Sequence, residues 1–375
     1  MPLRLDNLTA LRFFAAFSVF LHHLRPFDLN LSKSLWGVNL GWTVSFFFVL
    51  SGFVLSYSYH GRIRTLGDSG RFIAVRFFRL WPLHVACGLI ALALIGASSA
   101  PNLTKVYLFL TLQHAWIPSL ETAFFLNAVS WSISVELFFY IVFGLISVLS
   151  IRTGILLIAA WTFAVVVLML FVSWNPAAIP FGSGAPGSLP SMVTEQSFFH
   201  LSPPVRIVEF FAGILTFHLY ARIRVPRNLI FPAQLACVVL IIAYMPLHRP
   251  IIELLQAEGP RVFAQVYPRS GMFLLFALVV YVFAHQHGAV SRILSCRPLV
   301  FLGEISFAIY MVHQILIVFL QSHGAAVVFG PWPAAFCAFA LTVIASWTLY
   351  RFVERPGLAW AKTTFAAPRR STINP

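Results

Sequence analysis

The chain has 375 residues, of which 59% are hydrophobic, 16% aromatic and only 10% charged. A soluble domain carries about a quarter of its residues as charges, so this composition excludes one and points to an integral-membrane protein. The formal net charge of +14 raises nucleic acid as a partner, a reading that the placement of the charges removes.

Apolar runs approaching the ~20 residues that cross a bilayer fall near 8–24, 42–58, 81–97, 131–150, 154–174, 205–221, 229–246, 270–286, 299–321 and 334–352. They predict an all-α polytopic membrane protein of about ten transmembrane helices. With both termini set in the cytoplasm, the outer loops hold Arg25, Lys33, Lys105, Arg249, Arg261 and Arg269, while Arg12, Arg206 and Arg351 lie in spans. The other sixteen of the 25 lysines and arginines are cytoplasmic, which is the positive-inside bias. Topology thus accounts for the basic excess, and no nucleic-acid partner is expected. The first run carries Arg12 and has no small-residue cleavage site, so it reads as a retained helix and not a signal peptide. Cys87, Cys237, Cys296 and Cys337 show no disulfide or metal spacing, and no metal is expected.

No internal repeat is evident, and the expected organisation is one membrane domain over 1–356 followed by a basic cytoplasmic tail over 357–375. Three connecting segments stand out. The inner loop 59–80 is the only long basic one, 98–130 is expected to carry a short amphipathic or re-entrant helix near 104–115, and 175–204 is a Gly-, Pro- and Ser-rich outer loop.

In chain order, the first chemical signal is Arg12 and His23, eleven positions apart in the first run. Eleven residues are almost three helical turns, so the two share a face about 16 Å apart along the axis. Ionisable groups inside a membrane helix are costly and tend to line a pathway. The pair therefore reads as an anion site below and an acid/base above, against a plainer reading of a capping Arg and an interfacial His. His22 is turned about 100° away from His23, so only one imidazole shares the stripe. In FFFVLSGF (46–53), Ser51 and Gly52 permit a close helix approach. Arg76 and Arg79 share a helical face, with Arg71 one to two turns earlier, and arginine forks suit phosphate oxygens. Their alternative is a positive-inside anchor.

WSISVELFFY (131–140) sets Glu136 five residues below Trp131, about 7–8 Å in, at a depth similar to His23. Glu136 is therefore expected to orient His23 or reach the acceptor. Arg206 and Glu209, three apart, predict an intrahelical ion pair. In the ninth run Glu304, Ser306, Tyr310 and His313 form a polar track.

Taken in order, RLDNLTALRFFAAFSVFLHH (4–23), FFFVLSGF (46–53), RFFRLWP (76–82), WSISVELFFY (131–140) and GEISFAIYMVHQ (303–314) resemble the membrane acyltransferase family 3. RIVEFFAGIL (206–215) and FVERP (352–356) add weaker support, and the resemblance covers residues 4–356. Asn7-Leu8-Thr9 departs from the family pattern outside the Arg–His spacing, and no soluble domain follows the last span, as in a stand-alone member. The resemblance implies an O-acyltransferase that moves an acyl group, usually acetyl from cytoplasmic acetyl-CoA, to a hydroxyl of a sugar or similar acceptor. It maps the family's Arg–His motif onto Arg12 and His23, its paired arginines onto Arg76 and Arg79, and its Trp-Ser-Glu block onto Trp131, Ser132 and Glu136.

The combined expectation is a multi-pass protein of a bacterial inner membrane that acylates an exported or cell-surface saccharide. Arg76 and Arg79 hold the phosphates of acyl-CoA, and Arg12 lies beside the rising pantetheine arm. His23 is the catalytic base with Glu136 as its partner. Trp131, Ser132, Tyr310 and His313 line the substrate site. Direct transfer and a covalent acyl-His intermediate are both open. Two rivals remain. One is a macrolide-type or other hydrophobic acceptor; the other is a proton-coupled transporter, which the lack of a hydropathy repeat disfavours.

Overall fold

The computed structural model describes residues 4–29, 40–96, 102–182 and 191–365. Among these, secondary structure is helical apart from one isolated bridge between Gly182 and Thr194. Eight helical segments are long and apolar enough to cross a membrane, and a bent pair makes a ninth. Helix α1 (Asp6–His22) has 17 residues, about 25 Å, which is the short limit for a span. The protein is an all-α polytopic membrane protein.

The central helices are α1, α2 (Thr43–Tyr59), α5 (Trp131–Ile146), α8 (Pro203–Arg222) and the bent pair α12 (Arg297–Glu304) and α13 (Ser306–Ser322). Helices α3 (Leu66–Ile95) and α4 (Leu103–Leu110) pack beside them. On the periphery lie α6 (Ile151–Trp174), α9 (Arg227–Glu258) and α14 (Pro331–Leu349), while α7 (Glu195–Leu201), α10 (Arg261–Ser270) and α11 (Phe273–Phe283) complete the bundle. The span containing α2 is 72% buried and α9 only 17%, so α9 presents its apolar surface to lipid. Its prolines Pro232, Pro246 and Pro250 are tolerated because neighbours and local adjustment re-satisfy the freed carbonyls.

Two crossings set the geometry of the centre. A Cβ on Gly52 would sit 2.1 Å from the carbonyl oxygen of Phe210, and one on Gly213 would sit 1.9 Å from that of Val49. Helices α2 and α8 therefore touch backbone to backbone, as the small residues at 51–52 predict. A Cβ on Gly303 would sit 1.9 Å from the Thr9 oxygen, which locks α12 against α1. Directly after that contact the chain turns by 65° into α13. At the break Ser306 Oγ donates to the Gly303 oxygen at 2.7 Å, satisfying a carbonyl that the interrupted ladder leaves open.

The structure revises several boundaries. The basic segment 59–80 is mostly helix: α3 starts at Leu66 because Thr65 and Asp68 form a capping box. Arg71, Arg76 and Arg79 are thus helical residues. The segment 98–130 does carry the expected short helix, α4, followed by a turn at His114–Trp116 and a single helical turn at Leu120–Ala123. Part of the outer loop 175–204 is helix α7. The expected tail begins as helix α15 (Arg355–Thr364), which follows a π-helical turn at Tyr350–Glu354. Trp360 meets Phe78 of α3 edge-on at 5.0 Å between ring centroids, and Phe365 stacks on it at 5.6 Å. Residues 366–375 of that tail lie outside the described residues.

Candidate active site

Arg12 of α1, Ser51 of α2, Arg76 and Arg79 of α3, Glu136 and Tyr140 of α5, and Tyr310 of α13 line one cavity. The Arg76 guanidinium lies among the rings of Tyr59, Phe72 and Tyr140, 5.3, 5.8 and 5.7 Å from their centroids, so aromatic faces hold the cation. Its Nε is buried without a protein partner.

Among the described residues Arg12, Arg76 and Arg79 form no close ion pair; Arg71 by contrast pairs with Asp68 at 3.4 Å. The charges of Glu136 and Glu354 act on Arg12 and Arg79 from further away. The lower cavity is therefore a cluster of incompletely compensated guanidinium groups. Such groups complement the phosphates of a nucleotide-type anion.

Glu136 departs from the expectation. Its Oε1 accepts from Ser51 Oγ at 3.2 Å and from the Tyr140 hydroxyl, and it lines the cavity of the arginines. The anticipated Glu136–His23 contact is not formed among the described residues. Similar depth in two helices does not fix their rotation, and α5 turns Glu136 toward α2 and away from the end of α1.

His23 has another partner. His313 Nε2 lies 3.0 Å from His23 Nδ1. The second nitrogen of His313, Nδ1, faces the carbonyl oxygens of Tyr310 at 2.7 Å and Ile309 at 3.1 Å. A nitrogen between two carbonyls carries the hydrogen, which leaves Nε2 of His313 as an acceptor. His23 Nδ1, which also faces the Val19 oxygen at 3.0 Å, must then be the donor. The network assigns the lone pair of His23 to Nε2, the nitrogen available to a substrate. His313 does for His23 what a buried carboxylate does in a hydrolase triad: it fixes the tautomer and orientation.

His22, His23 and Arg25 line a second cavity, together with Trp131, His200 and Arg269. Val44 and Tyr310 line both cavities, so the two meet there. At this junction the Tyr310 hydroxyl is 2.8 Å from Ser132 Oγ and donates to the Val129 oxygen at 3.1 Å. Of the expected set, Arg12, Arg76, Arg79, Glu136 and Ser132 line the first cavity, His23 and Trp131 the second and Tyr310 both; His313, expected to line the substrate site, is fully buried, lines neither cavity and reaches the site only through His23. Arg206 and Glu209 form the expected ion pair, at 3.1 Å, buried and joined by Ser45 and Ser270.

One residue was not singled out by its spacing. Glu354, in the π-helical turn, is 6% exposed and its Oε2 has no protein partner. Its charge acts on Arg79 and Arg12. A carboxylate two residues beyond the tenth apolar run was the available signal, and a π turn inside a helix often marks a functional position.

A family model described as an acyltransferase domain matches residues 5–351, which contain both cavities. Acyltransferase MdmB of Streptomyces mycarofaciens is 29% identical over 330 residues, 84% of this chain and 79% of that protein. No solved structure matches significantly. A family match of this extent, over a bundle whose two polar cavities carry the motif residues, makes the chain a member of the membrane acyltransferase family 3.

Proposed function

We propose that the protein is an O-acyltransferase that takes an acyl group, acetyl in the simplest case, from acyl-CoA on the cytoplasmic side and transfers it to a hydroxyl of an exported or cell-surface saccharide. The observation that carries this reading is the pair of cavities meeting at Val44 and Tyr310, with unpaired arginines in one and the His23–His313 pair beside the other. Arg76, Arg79 and Arg12 bind the phosphates and the upper end of the coenzyme. The pantetheine arm spans the ~16 Å between Arg12 and His23 and brings the thioester to the waist beside Ser132 and Tyr310. Glu136, held by Ser51 and Tyr140, acts on the donor side, where it balances the guanidinium charges.

From the outer cavity, just above the waist, His23 Nε2 accepts the proton of the acceptor hydroxyl, and that oxygen attacks the thioester carbonyl carbon. The resulting imidazolium is stabilised through its Nδ1–H by His313 Nε2 and the Val19 oxygen. Collapse of the tetrahedral adduct breaks the C–S bond. The proton on His23 passes to the departing thiolate, which gives the ester and free coenzyme A. The setting is a bacterial inner membrane with both termini cytoplasmic, supported by the distribution of lysine and arginine.

The test is acyl transfer by detergent-purified protein supplied with labelled acetyl-CoA and a glycan extract. Release of coenzyme A with label in the glycan is expected, and His23→Ala should abolish it. A proton-coupled transporter would leave the thioester intact under the same conditions, and that result would overturn the proposal.

A further inference from the structure

The outer cavity has a charge pattern that acyl transfer alone does not require. Among the described residues its charged lining residues are Arg25 and Arg269, and no described aspartate or glutamate lines it. Other arginines nearby are neutralised: Arg206 by Glu209 at 3.1 Å and Arg261 by Glu195 at 2.5 Å. Glu195 adjoins the lining residues Thr194 and Gln196, yet it is turned onto Arg261. Among the described residues neither Arg25 nor Arg269 forms an ion pair.

Arg269 is also held in place by its backbone. Its carbonyl oxygen accepts from Ser45 at 3.1 Å, and the next residue, Ser270, receives Arg206 at 2.5 Å. The backbone is anchored in the buried network of α2 and α8 while the guanidinium remains for the cavity. Arg25 follows His23 by two residues, in the turn that ends α1. A second observation concerns polar atoms. His22 Nδ1, His200 Nδ1 and Gln314 Oε1 are buried without a protein partner, and all three residues line this cavity. Buried polar atoms are nearly always satisfied by protein, ordered water or ligand, so three such atoms in one cavity give a bound molecule polar groups to meet. His22 and His200 both lie within electrostatic reach of Arg269.

We propose that the outer cavity is an anion-recognising acceptor site, in which the acceptor's carboxylate or phosphate is held by Arg269 and Arg25 while its hydroxyl is presented to His23. This rests on the reading of His23 as the acyl-transfer base and adds the chemical class of the acceptor: an acidic sugar or sugar phosphate. A cationic acceptor such as an amino sugar is disfavoured by the same two guanidinium groups. An anionic lipid headgroup shares the ligand chemistry and is separated by the experiment.

The full chain is reconstituted in nanodiscs of phosphatidylcholine, and binding of methyl glucuronide and methyl glucoside, which differ in a carboxylate against a hydroxymethyl group, is measured by calorimetry. The glucuronide is expected to bind about tenfold or more tightly, as for a hydrogen bond to a charged group. Arg269→Gln should remove that preference, and Arg269→Lys should restore part of it. Coenzyme A affinity reports that each variant is folded. Equal affinity for the two glycosides, or a preference that survives Arg269→Gln together with Arg25→Gln, would overturn the proposal. The same holds if phosphatidylglycerol stabilises the wild type but not these variants and neither glycoside is distinguished, since the arginines would then serve lipid. Because binding is read without transfer, a failure here is separable from failure of the acyltransferase reading, which the labelled acetyl-CoA assay decides.

Discussion

At the residue scale, the division of labour between the two imidazoles of 22–23 and the one at 313 is the sharpest consequence of the structure. His23→Ala is expected to lower transfer by 10²-fold or more, the usual worth of a general base. His22→Ala should be much milder; the reverse order would assign the base to the wrong imidazole. His313 is a positioning residue, because it touches His23 and not the reacting atoms. His313→Ala should lower kcat by about ten- to a hundredfold with little change in KM for acetyl-CoA. His313→Gln, whose amide oxygen can accept from His23 Nδ1, should recover part of the loss, whereas a merely structural role would show no such rescue.

The Arg12–His23 stripe was legible in the sequence because one helix fixes both side chains by its period. The His23–His313 bond was not, since it joins residues 290 positions apart and no local pattern encodes how α13 rotates against α1. Glu354 was missed for a related reason: its importance lies in the arginines it faces, which come from α1 and α3. It supports a separate expectation. Removing its charge leaves Arg12 and Arg79 with less compensation, so Glu354→Gln should lower thermal stability without ligand and increase the stabilisation given by coenzyme A. A variant with unchanged melting temperature and unchanged response to coenzyme A would detach Glu354 from the donor site.

At the scale of elements, the site depends on helices approaching closely enough to bring short polar side chains into one cavity. The crossing of α2 and α8 leaves no room for a Cβ at Gly52 or Gly213, and the same α2 carries Ser51 to Glu136 and Ser45 to Arg206. Gly52→Ala should force the backbones apart, with a loss on the order of 1–3 kcal/mol by overpacking, and Gly52→Leu should prevent a stable fold. Thermal unfolding in detergent measures this, and a Gly52→Leu protein as stable as wild type would contradict the contact. The small-residue pair at 51–52 announced a crossing, but it did not name the partner helix. The early start of α3 was hidden because its first turns are basic and mask the apolar period. The Thr65–Asp68 capping box, visible in the sequence as TLGD, was the stronger signal.

At the scale of the whole molecule, the proposed function divides the chemistry between the two cavities. On that proposal the arginines of one cavity hold a cytoplasmic polyanion and the imidazole pair beside the other receives the acyl group, so that coenzyme A and acceptor each stay on their own side. Among the described residues Val44 and Tyr310 are the lining that the two cavities share, so on the proposed function the pantetheine arm passes there. This arrangement makes sidedness a property that can be measured. In sealed vesicles of known orientation, acyl-CoA supplied only on the cytoplasmic face should acylate an acceptor confined to the opposite face, without intact thioester crossing. Replacing both Arg76 and Arg79 with Ala should weaken coenzyme A binding on the cytoplasmic face, and Lys at either position should restore it only in part because it cannot make the bidentate contact. Transfer that occurs only when both substrates share the cytoplasmic side would break the connection between the cavities and leave His23 without a role at its depth.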